Sequence, residues 1–190
     1  YEQGGGPLID IGTHSLDLTL YLMNNYKPRM VVGTRYKKVE NPECGNPWGG
    51  WGKDENTTLE DAAFGFIVME NGATITLEAT WALNTDEPIP EGSCRLCGSK
   101  AGASIRPNQV IINKGEFGRL EEIRPDMSAG GVAFYDGVKE TPPITEQRRW
   151  LDAIENDADP LVLPEQACVV SEILEAIYTS ARTGKPVYFD

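Results

Sequence analysis

The chain has 190 residues, 24% of them charged and 40% hydrophobic, with a formal net charge of −12. That composition is globular and gives room for one domain or two small ones. So acidic a surface repels phosphate backbones and anionic lipid surfaces, which argues against nucleic-acid and membrane partners, and no apolar run approaches the roughly 20 residues that span a bilayer.

Four cysteines are present: Cys44, Cys94, Cys97 and Cys168. Cys94-x-x-Cys97 has the spacing of a zinc or redox pair, but a single distant histidine supplies no second ligand pair. The surrounding residues read as a strand, which sends the two sulfurs to opposite faces. Reduced structural cysteines, no metal site and a cytoplasmic location are the expectations, the last also because no basic-then-apolar leader is seen. The chain opens at Tyr1 inside what reads as an organised segment, as a domain excised from a longer protein would.

The first segment runs Gly4-Gly5-Gly6-Pro7-Leu8-Ile9-Asp10-Ile11-Gly12-Thr13-His14-Ser15-Leu16-Asp17 and holds the only histidine. Leu16, Leu20 and Met23 at i, i+4 and i+7, widened by Leu18 and Leu22, predict a buried helix over residues 13–25. Gly12 or Thr13 is the expected cap, and Asn24-Asn25 with Pro28 the stop. A helix starting near Gly12 sets Asp10, His14 and Asp17 on one side of its first turns. A histidine between two carboxylates can work as an acid or base near neutral pH. A lone histidine equally has an ordinary structural reading.

Residues 29–40 alternate Met30, Val32, Thr34 and Tyr36 against Val31, Gly33 and Arg35, which predicts a strand. Residues 41–58, rich in Gly, Pro and Asn with Trp48 and Trp51, read as a long loop, either a functional flap or a surface excursion packed on its own tryptophans. Residues 61–70 and 73–83 flank Asn71-Gly72, the pair favoured in a two-residue type I′ hairpin turn. That turn sets Val68 opposite Ile75, Phe66 opposite Leu77, Phe64 opposite Ala79 and Ala62 opposite Trp81 on an apolar face. The other face then pairs Met69 with Thr74, Ile67 with Thr76, Gly65 with Glu78 and Ala63 with Thr80. A sheet covered by helices on one side follows, open on the other, where a second subunit can pack.

Shorter strands are predicted at 93–98, 103–106, 109–113 and 119–123, then a loop over 125–141 with one strand around 131–135. Thr145 caps a predicted helix over 146–156 with Trp150, Leu151 and Ile154 on its apolar side. Pro164 and Gly184 bracket a longer one, whose expected buried stripe is Ala167, Val170, Leu174, Ile177 and Ala181. A strand-dominated middle between helices predicts an α+β fold rather than repeating βαβ units. The architecture expected is a predominantly antiparallel, open-faced sheet with helices on one side, in a single domain over residues 1–190. No P-loop, no G-x-G-x-x-G between strand and helix and no G-x-S-x-G elbow occurs. The chain therefore carries no recognisable nucleotide site of its own.

As a whole, the pattern Gly4-Gly5-Gly6, Leu8, Asp10, Gly12, His14, Asp17 resembles the start of the C-terminal domain in the glucose–fructose oxidoreductase / inositol dehydrogenase / MocA family. Asp61-Ala62-Ala63-Phe64-Gly65-Phe66 with Glu70-Asn71-Gly72-Ala73 is similar to that family's central hairpin. Pro160-Leu161-Val162, Glu172-Ile173-Leu174-Glu175-Ala176-Ile177-Tyr178 and Thr183-Gly184-Lys185-Pro186-Val187 are similar to its closing helix and tail. The resemblance implies an NAD- or NADP-dependent oxidoreductase of sugars, polyols or related compounds, with subunit contacts through the open sheet. It implies that His14 is the acid/base, that Asp10 supports it, and that Asp17 touches substrate or braces the helix. It also implies a Rossmann domain, absent from this sequence, that holds the dinucleotide and a catalytic lysine. Lys27-Pro28 and Lys185-Pro186 do not match the family's Glu-Lys-Pro-like motif, so the isolated chain is expected to be inactive. Two other readings compete: a non-catalytic binding or assembly module on the same fold, and a zinc or redox protein using Cys94 and Cys97.

Overall fold

The structure is a computed structural model that describes residues 5–37, 59–81, 92–107, 109–126 and 141–189. The loop expected over 41–58 and the strand expected around 131–135 lie outside the described residues. The chain divides into two compact units, Tyr1–Cys94 with Cys168–Asp190, and Arg95–Ala167.

In the first unit the helical start comes earlier than the periodicity predicts. The helix is entered at Pro7 (φ −56°), continues through a π-turn over Leu8–Gly12, and becomes α1 over Thr13–Met23. Gly12 is itself helical (φ −63°, ψ −34°), so neither it nor Thr13 is the cap. Thr13 Oγ1 instead donates back to the Ile9 carbonyl at 2.7 Å. Proline at the first helical position lacks only an N–H that would have had no partner there. Asn24 ends α1 in the left-handed region (φ 45°), an Asn position by preference. Leu16 and Leu20 are fully buried, as the spacing requires.

Four strands make the first sheet, in the order β3-β2-β1-β8: β1 Pro28–Tyr36, β2 Ala62–Met69, β3 Thr74–Thr80 and β8 Val187–Tyr188. All its described pairings are antiparallel. The hairpin is where the predicted one is, but its register is shifted by one residue. Ala63 faces Ala79, Gly65 faces Leu77 and Ile67 faces Ile75. The cause is the turn. Met69 N–H donates to the Ala73 carbonyl at 2.8 Å, which leaves a three-residue loop of Glu70, Asn71 and Gly72. Only Gly72 has a positive φ (85°), whereas a type I′ turn needs two such residues. Asn71 uses its side chain, accepting the Ala73 N–H at 3.0 Å. A one-residue slip turns over every side chain of one strand. Ala63, Gly65, Ile67 and Met69 therefore face inward with Ile75, Leu77 and Ala79, while Phe66 lies 42% exposed on the outer face.

Helix α3, Pro164–Thr183, packs on the inner face. Gly33 and Gly65 lie opposite each other across β1 and β2, and both crowd Ile177. A Cβ on Gly33 would stand 2.6 Å from the Ile177 carbonyl oxygen, and one on Gly65 2.6 Å from Ile177 Cδ1. The Gly33 N–H donates to the buried Ser180 Oγ at 3.0 Å. Of the predicted stripe, Val170, Leu174 and Ile177 are buried; Ala167 is exposed and Ala181 half-buried, and Ile173, Ala176 and Ser180 complete the contact face. Gly184 (φ 67°) closes α3 with its N–H on the Ser180 carbonyl.

The second unit holds a meander, β4-β5-β6-β7, over Cys94–Cys97, Ala101–Arg106, Gln109–Glu116 and Arg119–Ile123, and helix α2 over Pro142–Glu155. Here both central turn residues, Phe117 (φ 50°) and Gly118 (φ 71°), have positive φ between paired Glu116 and Arg119. The primed two-residue turn expected at Asn71-Gly72 thus sits at Phe117-Gly118. Helix α2 begins one turn before the predicted start: Thr141, extended at ψ 150°, precedes Pro142 and Pro143. Trp150, Leu151 and Ile154 are each more than half exposed. Cys94 is half-buried and Cys97 exposed, in a strand whose exposure alternates. No helix among the described residues is long and apolar enough to cross a membrane.

Candidate active site on the first helical turns

The glycine run makes room for protein. The Gly6 carbonyl accepts the N–H groups of Ile9 and Asp10, each at 3.1 Å, and so opens the helix. A Cβ on Gly6 would fall 2.4 Å from the Glu60 side chain, and one on Gly5 2.4 Å from Ile9. Glu60 is only 4% exposed. Its Oε1 accepts the Tyr178 hydroxyl at 2.7 Å and the Leu8 N–H at a longer 3.4 Å. A buried carboxylate is tolerated when it is hydrogen-bonded, and a helix start presents both free N–H groups and positive dipole charge to it. Burial pushes the Tyr178 hydroxyl well above its ordinary pKa, and the Glu60 hydrogen bond and charge push it further. Glu60, two residues before β2, and Tyr178, from α3, thereby fix where the π-turn begins.

The π-turn carries Asp10. Bonding from i to i+5 widens the turn, so residues four apart line up more nearly along the axis than in an α-helix. Asp10 and His14 occupy successive turns, both exposed; Asp17, a further turn on, is half-buried. Asp10 Oδ2 accepts the indole N–H of Trp81 at 2.8 Å. Among the described residues the bond of the Asp10 carboxylate is to Trp81, not to the His14 imidazole. The Tyr26 phenol has its pKa raised first by burial and then by the negative charge of Asp17. The Tyr26 hydroxyl and the Asn25 amide nitrogen are buried with no hydrogen-bond partner among the described residues.

Three residues that shape this site were not singled out from sequence as contributors to it: Glu60, Tyr178 and Trp81. Glu60 and Trp81 frame the hairpin just outside its strands, positions that a search for catalytic motifs passes over. A groove of about 440 Å³ lies elsewhere, between α3 and the chain end, lined by Glu172, Ala176, Val187 and Phe189 among others, and holds none of the site residues. Among the described residues no group of three or more His, Cys, Asp or Glu side chains could hold a metal ion. The space beside Gly5 and Gly6 is thus taken up by Ile9 and Glu60.

An α+β domain with an open sheet and a histidine–aspartate helix at its front is the class that fold and site define. The family model described as the oxidoreductase family's C-terminal alpha/beta domain matches residues 1–189. The chain belongs to that family, the glucose–fructose oxidoreductase / inositol dehydrogenase / MocA oxidoreductases. It is 30% identical over 189 residues to D-glucoside 3-dehydrogenase of Escherichia coli K12, covering 97% of this chain and 49% of that protein. The chain thus spans about half the length of this relative. Levoglucosan dehydrogenase, solved in complex with NADH, superposes with a TM-score of 0.74 at 20% identity, over 98% of this chain and 51% of the other. Aldose-aldose oxidoreductase from Caulobacter crescentus, solved with glycerol, gives 0.69 at 21% identity, over 97% and 48%. At such identities the two structures bear on the fold alone.

Proposed function

We propose that this chain is the catalytic and oligomerisation half of a cytoplasmic NAD(P)-dependent oxidoreductase acting on a sugar, a polyol or a related hydroxy or carbonyl compound. The observation that carries this is the helix start: Asp10 and His14 stand exposed on successive turns of a segment braced by buried Glu60. Such side chains are presented outward from a rigid support, which is how an acid/base group is held for a substrate. A nicotinamide dinucleotide supplies the hydride chemistry; we assign the residues for it to a preceding domain, as the family resemblance implies and as the crowding of Gly5 and Gly6 by Ile9 and Glu60 supports. In alcohol oxidation His14 takes the hydroxyl proton, and in carbonyl reduction it returns one to the same oxygen. Asp10 stabilises the charged imidazole across the turn, and Asp17 contributes to substrate binding. The related dehydrogenase of D-glucosides favours a carbohydrate hydroxyl as the reacting group. The outer face of the first sheet, with Val32, Tyr36 and Phe66 exposed and Tyr36 edge-on to Phe64 at 6.0 Å, is the surface on which a second subunit packs.

A second reading, a non-catalytic assembly module, draws on the Asp10 bond to Trp81 in place of His14. A survey of sugars and polyols with NAD and NADP, using the full-length protein and its His14→Ala variant, separates the two. Loss of the acid/base lowers kcat by about 10²–10⁴. An active parent that loses nothing on His14→Ala refutes the catalytic assignment. Tight NADH binding by residues 1–190 alone refutes the division of labour between the two halves.

A further inference from the structure

We propose that Trp81 is a positioning residue for Asp10, its indole N–H holding the carboxylate that supports the acid/base. The inference rests on the catalytic reading of Asp10 and His14 above.

Indole nitrogen is a donor only, so the 2.8 Å contact between Trp81 Nε1 and Asp10 Oδ2 has one direction: the N–H donates. A neutral donor on a carboxylate is a charge-assisted bond, stronger and more directional than a neutral pair. It takes up one oxygen of Asp10 and fixes the plane of the group. Oδ1 is the oxygen left for the imidazole or for a partner from another domain.

Trp81 is itself held in place. Its backbone N–H donates to the Asp61 carbonyl at 3.1 Å, and Thr80 Oγ1 donates to the same oxygen at 3.0 Å. The neighbouring Glu60 takes the Leu8 N–H. The two ends of one hairpin thus grip the π-turn at two points, Glu60 at its first residue and Trp81 at its acid. Gly12 lets the turn lie close on β3, where a Cβ would stand 3.1 Å from that of Ala79. This grip depends on the hairpin register. A one-residue slip would displace the indole by about 3.3 Å along the strand, more than a hydrogen bond tolerates.

The test is a double-mutant cycle in the full-length enzyme, with Trp81→Phe, Asp10→Asn and both together. Phe keeps an aromatic ring and lacks the N–H. Trp81→Phe should lower kcat roughly ten- to hundredfold with KM little changed, the pattern of a group that acts in the transition state. In the Asp10→Asn background the same change should have less than about a threefold effect, because residues acting as a unit are non-additive. Additive losses, or an unchanged kcat in Trp81→Phe beside an impaired Asp10→Asn, overturn the proposal while leaving the catalytic reading intact. Full activity in Asp10→Asn overturns the reading of Asp10 and the proposal with it. If Trp81→Phe does not fold, a benzothiophene isostere at position 81 removes the N–H alone, and the same outcomes decide.

Discussion

Gly33→Ala tests how α3 is seated, and through α3 the placement of Tyr178 beside Glu60. The added methyl would lie 2.6 Å from Ile177 Cγ2, 2.6 Å from its carbonyl oxygen and 2.8 Å from its Cα. Two of these are backbone atoms, so no rotamer change relieves the overlap, and helix or strand must give way. Overpacking of this kind costs about 1–3 kcal/mol. If the helix retreats, the 3.0 Å bond from Gly33 N–H to Ser180 Oγ is lost as well. A buried N–H left without a partner adds about 1–3 kcal/mol. The sum centres near about 4 kcal/mol, or roughly 10 °C in melting temperature for a chain of this length. Thermal and urea unfolding followed by circular dichroism measure it. Gly115→Ala is the control, because a Cβ there meets nothing within 4 Å. A Gly33→Ala midpoint within about 2 °C of the parent would refute the close seating of α3.

Other outcomes follow from the same geometry. Glu60→Ala strips the acceptor from Tyr178 and Leu8 and should destabilise by about 3 kcal/mol, whereas Glu60→Gln keeps an acceptor oxygen and should cost about 1 kcal/mol; equal losses in urea titrations would contradict the bonding assigned to Glu60. The raised pKa of Tyr178 means that the folded state favours the neutral phenol. Its stabilising contribution is therefore complete below the unfolded pKa of about 10 and is lost as pH rises toward the folded value. Unfolding measured across alkaline pH should show stability falling above pH about 10, and less steeply in Tyr178→Phe; an unchanged slope would remove the linkage.

What sequence determined here is what depends on near neighbours. Leu16, Leu20 and Met23 spell out α1, Pro164 and Gly184 bracket α3, and alternation marks β1 to β3, because side-chain direction repeats every 3.6 or 2 residues whatever lies opposite. The family pattern from Gly4 to Asp17 was legible for the same reason, being contiguous. Tertiary structure decided the rest. Asn71-Gly72 fits a two-residue turn as well as the three-residue one it forms, and Asn71 met the demand with its side chain instead of a positive φ. That single residue of register decides which face Phe64, Phe66 and Val68 occupy and where Trp81 ends. The bond from Trp81 to Asp10 spans 71 residues, and that from Tyr178 to Glu60 spans 118. Neither pair leaves a periodic trace, since each is set by the packing of whole elements. Local pattern thus supplied the acid/base candidates and the elements that carry them; only the assembled hairpin and helix supplied the groups that hold them in place.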